Sequence, residues 1–273
     1  MNTREIMELA LKLAGLEEIP ADSVIITEGE NIKRVLMGID MDTPELLAAM
    51  ELGYDLVIGH HPHGGSATIN FHKVMLRQID KMVEFGVPIN KAQKALKERM
   101  SKIEYDAHSS NYDRLASFAR LLDIPYMNIH IPCDIITENF LQKYINQKFE
   151  AKPRTTLKEV VDALLELPEY KKAITKPAIR VGSPEDFAGK IAVLMAGGTN
   201  GGEKVFKAYF EAGVGTIICM HLPEDVKKAV IEQNIGNVIV AGHMASDSIG
   251  INIFAEELKK RGLEVHKIGG IIE

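Results

Sequence analysis

The stretch Asp55-Leu56-Val57-Ile58-Gly59-His60-His61-Pro62-His63-Gly64-Gly65 decides the reading of this chain. Leu56, Val57 and Ile58 form a short apolar run, and Pro62 with Gly64-Gly65 punctuates it, so the run reads as a buried strand. Two imidazoles then emerge where the strand leaves the core. In open α/β sheets that carboxyl end is where ligands bind, and imidazole is the commonest metal ligand. Neighbouring side chains on a strand point to opposite faces. His60 and His61 therefore share one centre only if the backbone turns after Gly59. Otherwise each serves a different ion, or both are solvated at a polar strand end.

On both sides of this stretch, strands alternate with helices. Residues 35–39 read as a strand running into Asp40. Thr43-Pro44-Glu45 then carries a cap, a first-turn proline and a first-turn acid. The pattern predicts helices over about 71–85 and 91–103, an irregular segment at 105–111 and a helix over 114–122. A strand follows at 127–131 and a helix at 155–167. Residues 191–195 read as a buried strand, followed by Gly197-Gly198-Thr199-Asn200-Gly201-Gly202 and a helix over 203–212. Strands at 215–219 and 238–241 precede a last helix with Ile251, Phe254, Ala255 and Leu258 on one face, and a strand at 265–268 closes the series. This alternation predicts an α/β fold with a parallel or mixed sheet covered by helices.

Composition removes several function classes. The chain has 273 residues and a net charge of -6, with no basic block to track a phosphate backbone, which disfavours nucleic-acid binding. No uncharged apolar run has the length of a membrane span, and the first residues show an amphipathic helix pattern (Ile6, Leu9, Ala10, Leu13) rather than a leader. Cys133 and Cys219 are far apart and form no ligand-spaced pair, which suits a reducing cytoplasm.

A second cluster, Gly242-His243-Met244-Ala245-Ser246-Asp247, also follows a buried strand. On a helix, His243 and Asp247 lie one turn apart on one face and can share an ion. The alternative is an ordinary helix start with Ser246 or Asp247 as cap. A third polar segment spans Asp106 to Arg114, where Asn111 or Asp113 reads as the cap of the following helix. The glycine loop after residues 191–195 opens a helix, as an anion cradle would. It lacks the spacing of either nucleotide-binding glycine motif, and a tight turn without ligand is an equal reading. His72, His130, His221 and His266 are isolated in sequence; only His221, just after a strand, is held in reserve.

Taken in order, these pieces resemble the NIF3-like family, also called DUF34 or the GTP cyclohydrolase 1 type 2 homolog family. The run Leu56 to Pro62 resembles its apolar strand ending in His-His-Pro, and Ala241-Gly242-His243 its late Gly-His motif. Val35 to Asp42 resembles its first strand and Asp-containing turn, and Ala196 to Gly202 its glycine loop. The resemblance implies two α/β lobes: a discontinuous metal-binding lobe of residues 1–125 and 237–273, with a second lobe of residues 126–236 inserted in it. It implies two divalent ions held by His60, His61, Asp113, His243 and Asp247, with His108 as the rival of Asp113. It also implies a homohexamer. The chain departs from the family in having Asp247 where a Glu is usual. The mid-chain segment before Asp113 also differs from the usual His-Thr-Asn-Leu-Asp. Mixed nitrogen and oxygen ligands suit zinc, iron, manganese or nickel. The expected function is a two-metal hydrolase of a nucleotide or phosphoester-class small molecule, although the chain offers no guanine-reading signature. The alternative is a non-catalytic, metal-stabilised oligomeric scaffold, since fold and metal do not establish turnover.

Overall fold

The computed structural model describes residues 1–273. In chain order the strands are β1 (Val24–Thr27), β2 (Arg34–Gly38), β3 (Leu56–Gly59), β4 (Tyr126–Asn128), β5 (Ala178–Val181), β6 (Lys190–Leu194), β7 (Val214–Cys219), β8 (Asn237–Val240) and β9 (Glu264–Ile268). They form two sheets, ordered β1-β4-β3-β2-β9 and β5-β8-β7-β6. In the first, β4, β3, β2 and β9 run parallel and β1 lies antiparallel at the edge. In the second, β8, β7 and β6 run parallel and β5 is the antiparallel edge. Two mixed sheets covered by helices are what the alternation of elements predicted.

The chain divides into two compact units. One comprises residues 1–74, 103–136 and 247–271; the other comprises 75–102, 137–246 and 272–273. These divisions differ from the expected 1–125 with 237–273 and 126–236. Residues 126–128 pair with β1 and β3, so they belong to the first sheet. Residues 237–240 pair with β5 and β7, so they belong to the second. Strand pairing fixes both segments, and sequence periodicity does not reveal which strand a segment pairs with. Residues 75–102 also pass to the second unit. The remaining divisions fall inside two helices, Ile131–Phe149 and His243–Lys260.

The first sheet is buried on both faces. Val35, Met37, Leu56 and Ile58 pack with Ile6, Phe254 and Leu258 on one side, while Leu36 and Val57 pack with Leu46, Leu115 and Tyr126 on the other. That is the period-two alternation of a strand applied to an all-apolar segment, as in parallel sheets covered by helices. Each such side chain contributes about 1.5–3 kcal/mol when fully buried. The helix Thr3–Ala14 covers one face. Asn2 and Glu5 form its capping box, and Gly15 ends it in the left-handed region at φ 71°. Gly59 is required by close approach, because a Cβ there would lie 2.7 Å from the Tyr126 hydroxyl oxygen. No helix is long and apolar enough to cross a membrane.

The helix Ile131–Phe149 was not visible in the sequence. Its first half, from Ile131 to Glu138, is buried throughout, so it shows no polar face and no periodic stripe. Pro132 also reads as a break, yet the first turn of a helix tolerates proline.

Candidate metal centre

Three parallel strands of the first unit end level with one another, since Gly38 of β2, Gly59 of β3 and Asn128 of β4 are successive register partners. The residues beyond them, Asp40, His60 with His61, and His130, therefore leave the sheet together. His60 N donates to Gly38 O at 2.9 Å and to Ile39 O at 3.2 Å, and His61 N donates to the same Ile39 O at 3.0 Å. Two consecutive amides aimed at one carbonyl break the strand alternation. The rings of His60 and His61 consequently lie 5.1 Å apart, centroid to centroid. The backbone turn that a shared centre requires is present.

Each ring is fixed through Nδ1. His60 Nδ1 meets Ile129 O at 3.1 Å, His61 Nδ1 meets Asp40 Oδ1 at 2.7 Å, and His130 Nδ1 meets Asp22 Oδ2 at 2.5 Å. A carbonyl or carboxylate oxygen only accepts, so Nδ1 carries the proton in all three rings. The Nε2 atoms face carboxylates. His60 Nε2 lies 3.3 Å from Asp134 Oδ1 and 3.8 Å from Asp247 Oδ1. His61 Nε2 lies 3.6 Å from Asp247 Oδ2, and His130 Nε2 lies 3.5 Å from Asp134 Oδ2. His60, Asp134 and Asp247 bring ligand atoms within 4.8 Å of one another, and so do His60, His61 and His130.

Burial sets the electrostatics. His60, Asp134 and Asp247 are each at most 2% exposed, while His61 is half-buried and links the cluster to solvent. Burial pulls the His60 imidazole below its ordinary pKa and so favours the neutral ring. Burial also pushes Asp134 well above the usual carboxylate range, with Asp247 and Asp22 adding to it against the pull of His130. Burial lowers His61 too, but its bonds to Asp247 and Asp40 outweigh that and hold it up at about 9. His60 Nε2 and Asp134 Oδ1 have no hydrogen-bond partner, although they are only 3.3 Å apart. In the neutral ring with Nδ1 protonated, both atoms offer electron pairs. Their proximity calls for a proton or a cation between them, and the donor set of imidazole nitrogen and carboxylate oxygen fits a divalent transition metal.

The other residues singled out in the sequence lie as follows. His243 opens the helix His243–Lys260, one turn before Asp247, and its ring lies 5.3 Å from that of His221. Asp113 is exposed, stands before the helix Arg114–Leu122 and accepts a bond from Arg120 at 2.6 Å. The structure does not bring it to the histidines. Asn111 Oδ1 accepts from the amides of Asp113 and Arg114, which is the capping role the segment suggested. His108 is exposed just beyond the helix Ile89–Ala107. His63 shares the Asp40 carboxylate, at 3.1 Å.

Sequence reasoning missed Asp22, His130 and Asp134. A signal for two of them was present. His130-Ile131-Pro132-Cys133-Asp134 follows β4 and repeats the spacing of His243 and Asp247. It is also the spacing of the family's His-Thr-Asn-Leu-Asp segment. Asp22 had no local signal, because it meets His130 only through the fold.

The glycine loop is filled by the chain itself. Gln78 Nε2 donates to Gly197 O and Thr199 O, each at 2.7 Å. The amides of Gly201 and Gly202 donate to Thr199 Oγ1 and Asn200 Oδ1. A Cβ on Gly201 would come within 2.3 Å of Gln78 Oε1, so glycine there makes room for the protein's own amide.

No family model matches the chain, and neither does any curated protein. Solved structures do. The crystal structure of a NIF3 superfamily protein from Sphaerobacter thermophilus is 40% identical, with 99% of this chain and 98% of that one covered and a TM-score of 0.95. Reduced HcgD from Methanocaldococcus jannaschii is 17% identical over 98% and 97% of the two chains, with a TM-score of 0.60. A Bacillus cereus protein related to NIF3 is 11% identical over 98% and 96%, with a TM-score of 0.52. The latter two share the fold.

Proposed function

The chain belongs to the NIF3 superfamily, and we propose that it binds two divalent metal ions and uses them as a hydrolase of a nucleotide or phosphoester-class small molecule. The observation that carries this reading is the buried pair His60 Nε2 and Asp134 Oδ1, two unpartnered electron-pair donors 3.3 Å apart. The proposed ligands are His60, His61, Asp134 and Asp247, joined by His243 from the same helix face as Asp247. Asp134 takes the mid-chain place that the resemblance implied for Asp113. Asp247 reaches the cluster despite being one methylene shorter than the usual Glu, at 3.8 Å from His60 Nε2 and 3.6 Å from His61 Nε2.

Zinc, iron, manganese or nickel suits this donor set. Ions bound there supply Lewis acidity and activate water for hydrolysis near neutral pH. The protein's own contribution is orientation. Ile129 O and Asp40 fix the rings of His60 and His61, and the buried surroundings limit solvent to the side where His61 is partly open. Assembly as a homohexamer belongs to the same reading. So does a cytoplasmic location, which two free, buried cysteines suit.

Anomalous scattering at metal absorption edges, on crystals of the purified chain loaded with zinc, tests the ligand set. Two ions against His60, His61, Asp134 and Asp247 are expected. The variant Asp113→Asn should bind zinc within about twofold of the parent, because an exposed surface change leaves distant contacts intact. Zinc held at Asp113 instead, or no zinc at the histidines, would sink the proposal. Metal-dependent turnover on phosphoester and nucleotide panels, lost in His60→Ala, separates a hydrolase from a metal-stabilised scaffold.

A further inference from the structure

We propose that a cleft beside the amino end of β6 binds a small carboxylate with an apolar, ring-bearing body. The cleft lies wholly within the unit of residues 75–102 and 137–246 and uses none of the residues of the metal centre, so the inference does not rest on the two-metal reading.

The cleft has a volume of about 590 Å³, within the range of about 300–1,000 Å³ found for small-ligand sites. Phe85, Ile145, Phe149 and Ile191 form its apolar wall. Phe85, Ile145 and Ile191 are buried, while Phe149, the last residue of the helix Ile131–Phe149, is partly open. Phe85 meets Tyr209 edge-on at 5.8 Å, and no ring packs on Phe149, so ring surface is left for a ligand to cover.

A peptide strand does not fit here. β6 is an edge strand, and an open edge invites a further strand. Gln142 already takes that place. Its Oε1 accepts from Val193 N at 2.9 Å, and its Nε2 donates to Ile191 O at 3.2 Å. One side chain thus supplies both bonds of a strand partner. The same Nε2 donates to Asn146 Oδ1 at 2.9 Å, which leaves the Asn146 NH₂ as a donor at the cleft wall.

Charge selects an anion. Lys190 Nζ stands 4.9 Å from the centre of the Phe85 ring, and Lys152 Nζ 5.8 Å from that of Phe149. Each aromatic wall therefore carries an ammonium at its face. Neither lysine has a carboxylate in ion-pair range; Lys190 Nζ donates to Phe85 O at 3.2 Å. Of the acids in the lining, Glu84 is answered by Lys81 at 3.1 Å, which leaves Glu150 alone against both ammonium groups. A second depression of about 410 Å³ shares Glu84, Gln142, Asn146 and Glu150 with the cleft. Every charged side chain it adds, from Arg77, Lys81 and Lys143, is a cation. A local excess of positive charge on a chain of net charge -6 concentrates small anions. An acidic group and an apolar ring on one molecule answer both halves of the lining.

The test is proton–nitrogen correlation NMR of the full chain titrated with naphthalene-2-carboxylate, with naphthalene-2-carboxamide and acetate as controls. The carboxylate should shift the amides of Phe85, Ile145, Phe149 and Ile191 saturably. Each control should bind about tenfold more weakly, the worth of one charge-assisted hydrogen bond or of the ring contact. Lys190→Gln and Lys152→Gln, both exposed, should each lower the affinity about three- to tenfold, and Lys190→Arg should retain it. Saturable shifts confined to His60, His61 and their neighbours would put the acid on the metal centre and overturn the inference. Equal affinity for the amide would make the cleft an apolar crevice without charge selection and overturn it too, as would the absence of any shift at millimolar carboxylate. None of these outcomes touches the metal reading, which is tested by its own ligand set.

Discussion

Beyond β3 and β4, imidazole nitrogens and carboxylate oxygens face one another with nothing of opposite polarity between His60 Nε2 and Asp134 Oδ1. Beyond β6, in the other unit, an equally buried carboxylate faces groups of opposite polarity. Glu138 Oε2 accepts from the amides of Met195 and Ala196 at 2.9 Å each, and Oε1 lies 3.2 Å from Arg77 and 3.7 Å from Lys81. The glycine loop there receives Gln78 rather than an outside group. Both places are ends of parallel strands, and both hold acids that are almost completely buried. One acid is matched with guanidinium, ammonium and backbone amides, which makes it part of the framework. The other meets only imidazoles, of which His60 is kept neutral by burial, and this calls for a proton or a cation between them. Strand-end position alone therefore does not mark a site. The polarity of the neighbours does.

The contrast is open to attack at three levels, and the largest effect belongs to the framework side. Glu138→Ala should destabilise the protein by about 3–5 kcal/mol, the cost of leaving Arg77 without its partner and the Met195 and Ala196 amides without their acceptor. Denaturant unfolding would measure this, and the loss should be the same with and without zinc. A milder loss, or one rescued by metal, would mean that the Glu138 network is itself a ligand site. Next comes His60→Ala, which should lower zinc affinity about 100-fold, or about 2.7 kcal/mol in binding. Calorimetric titration reads this directly, and stability in the absence of zinc should change less than in the Glu138 variant. Equal losses from both variants would erase the distinction between the two regions.

The smallest effect is a pH dependence confined to the metal-free form. His61 is held up at about 9 from its ordinary 6.5, so folding favours its protonated state. The stability this contributes is complete below about 6.5 and is lost as the pH rises through about 9. Thermal unfolding of metal-free protein should fall across that window, by roughly 2–4 °C for each kcal/mol lost. Zinc should flatten the dependence, because a bound cation takes the place of the proton. A metal-free protein whose midpoint is level from pH 6.5 to 9 would show that Asp40 and Asp247 do not hold the His61 proton.

Much of the fold was legible because apolar runs and their punctuation act over a few residues. Leu56-Val57-Ile58 and Ile191-Ala192-Val193 announced buried strands, and both are so. Gly15 and Gly262 follow apolar helical stripes in the sequence, and each has the positive φ that a helix end uses. The helix Ile131–Phe149 was hidden because burial on all sides of its first half removes the periodic stripe by which helices are read. The segments 126–128 and 237–240 were recognised as strands at nearly the right places, but their sheets were exchanged. A run of four apolar residues carries no label for its partner.

The site was legible in the same partial way. His60-His61 and His243-x3-Asp247 stand out because their spacing is meaningful within a single turn or strand. Asp113 drew attention through a local motif, yet its carboxylate is spent on Arg120 at the surface. His130 was set aside as isolated although it had Asp134 one helical turn away.

What the sequence determined by itself was the kind of element at each place and the chemistry available at strand ends, since both depend on short-range order along the chain. What the tertiary structure alone decided was which donors meet. Asp22 and His130 are separated by over a hundred residues and bonded at 2.5 Å. Level strand ends bring Asp40, His60 and His130 to one place. Register between strands is set by packing and hydrogen bonding across the whole sheet, and no local stretch of residues contains that information.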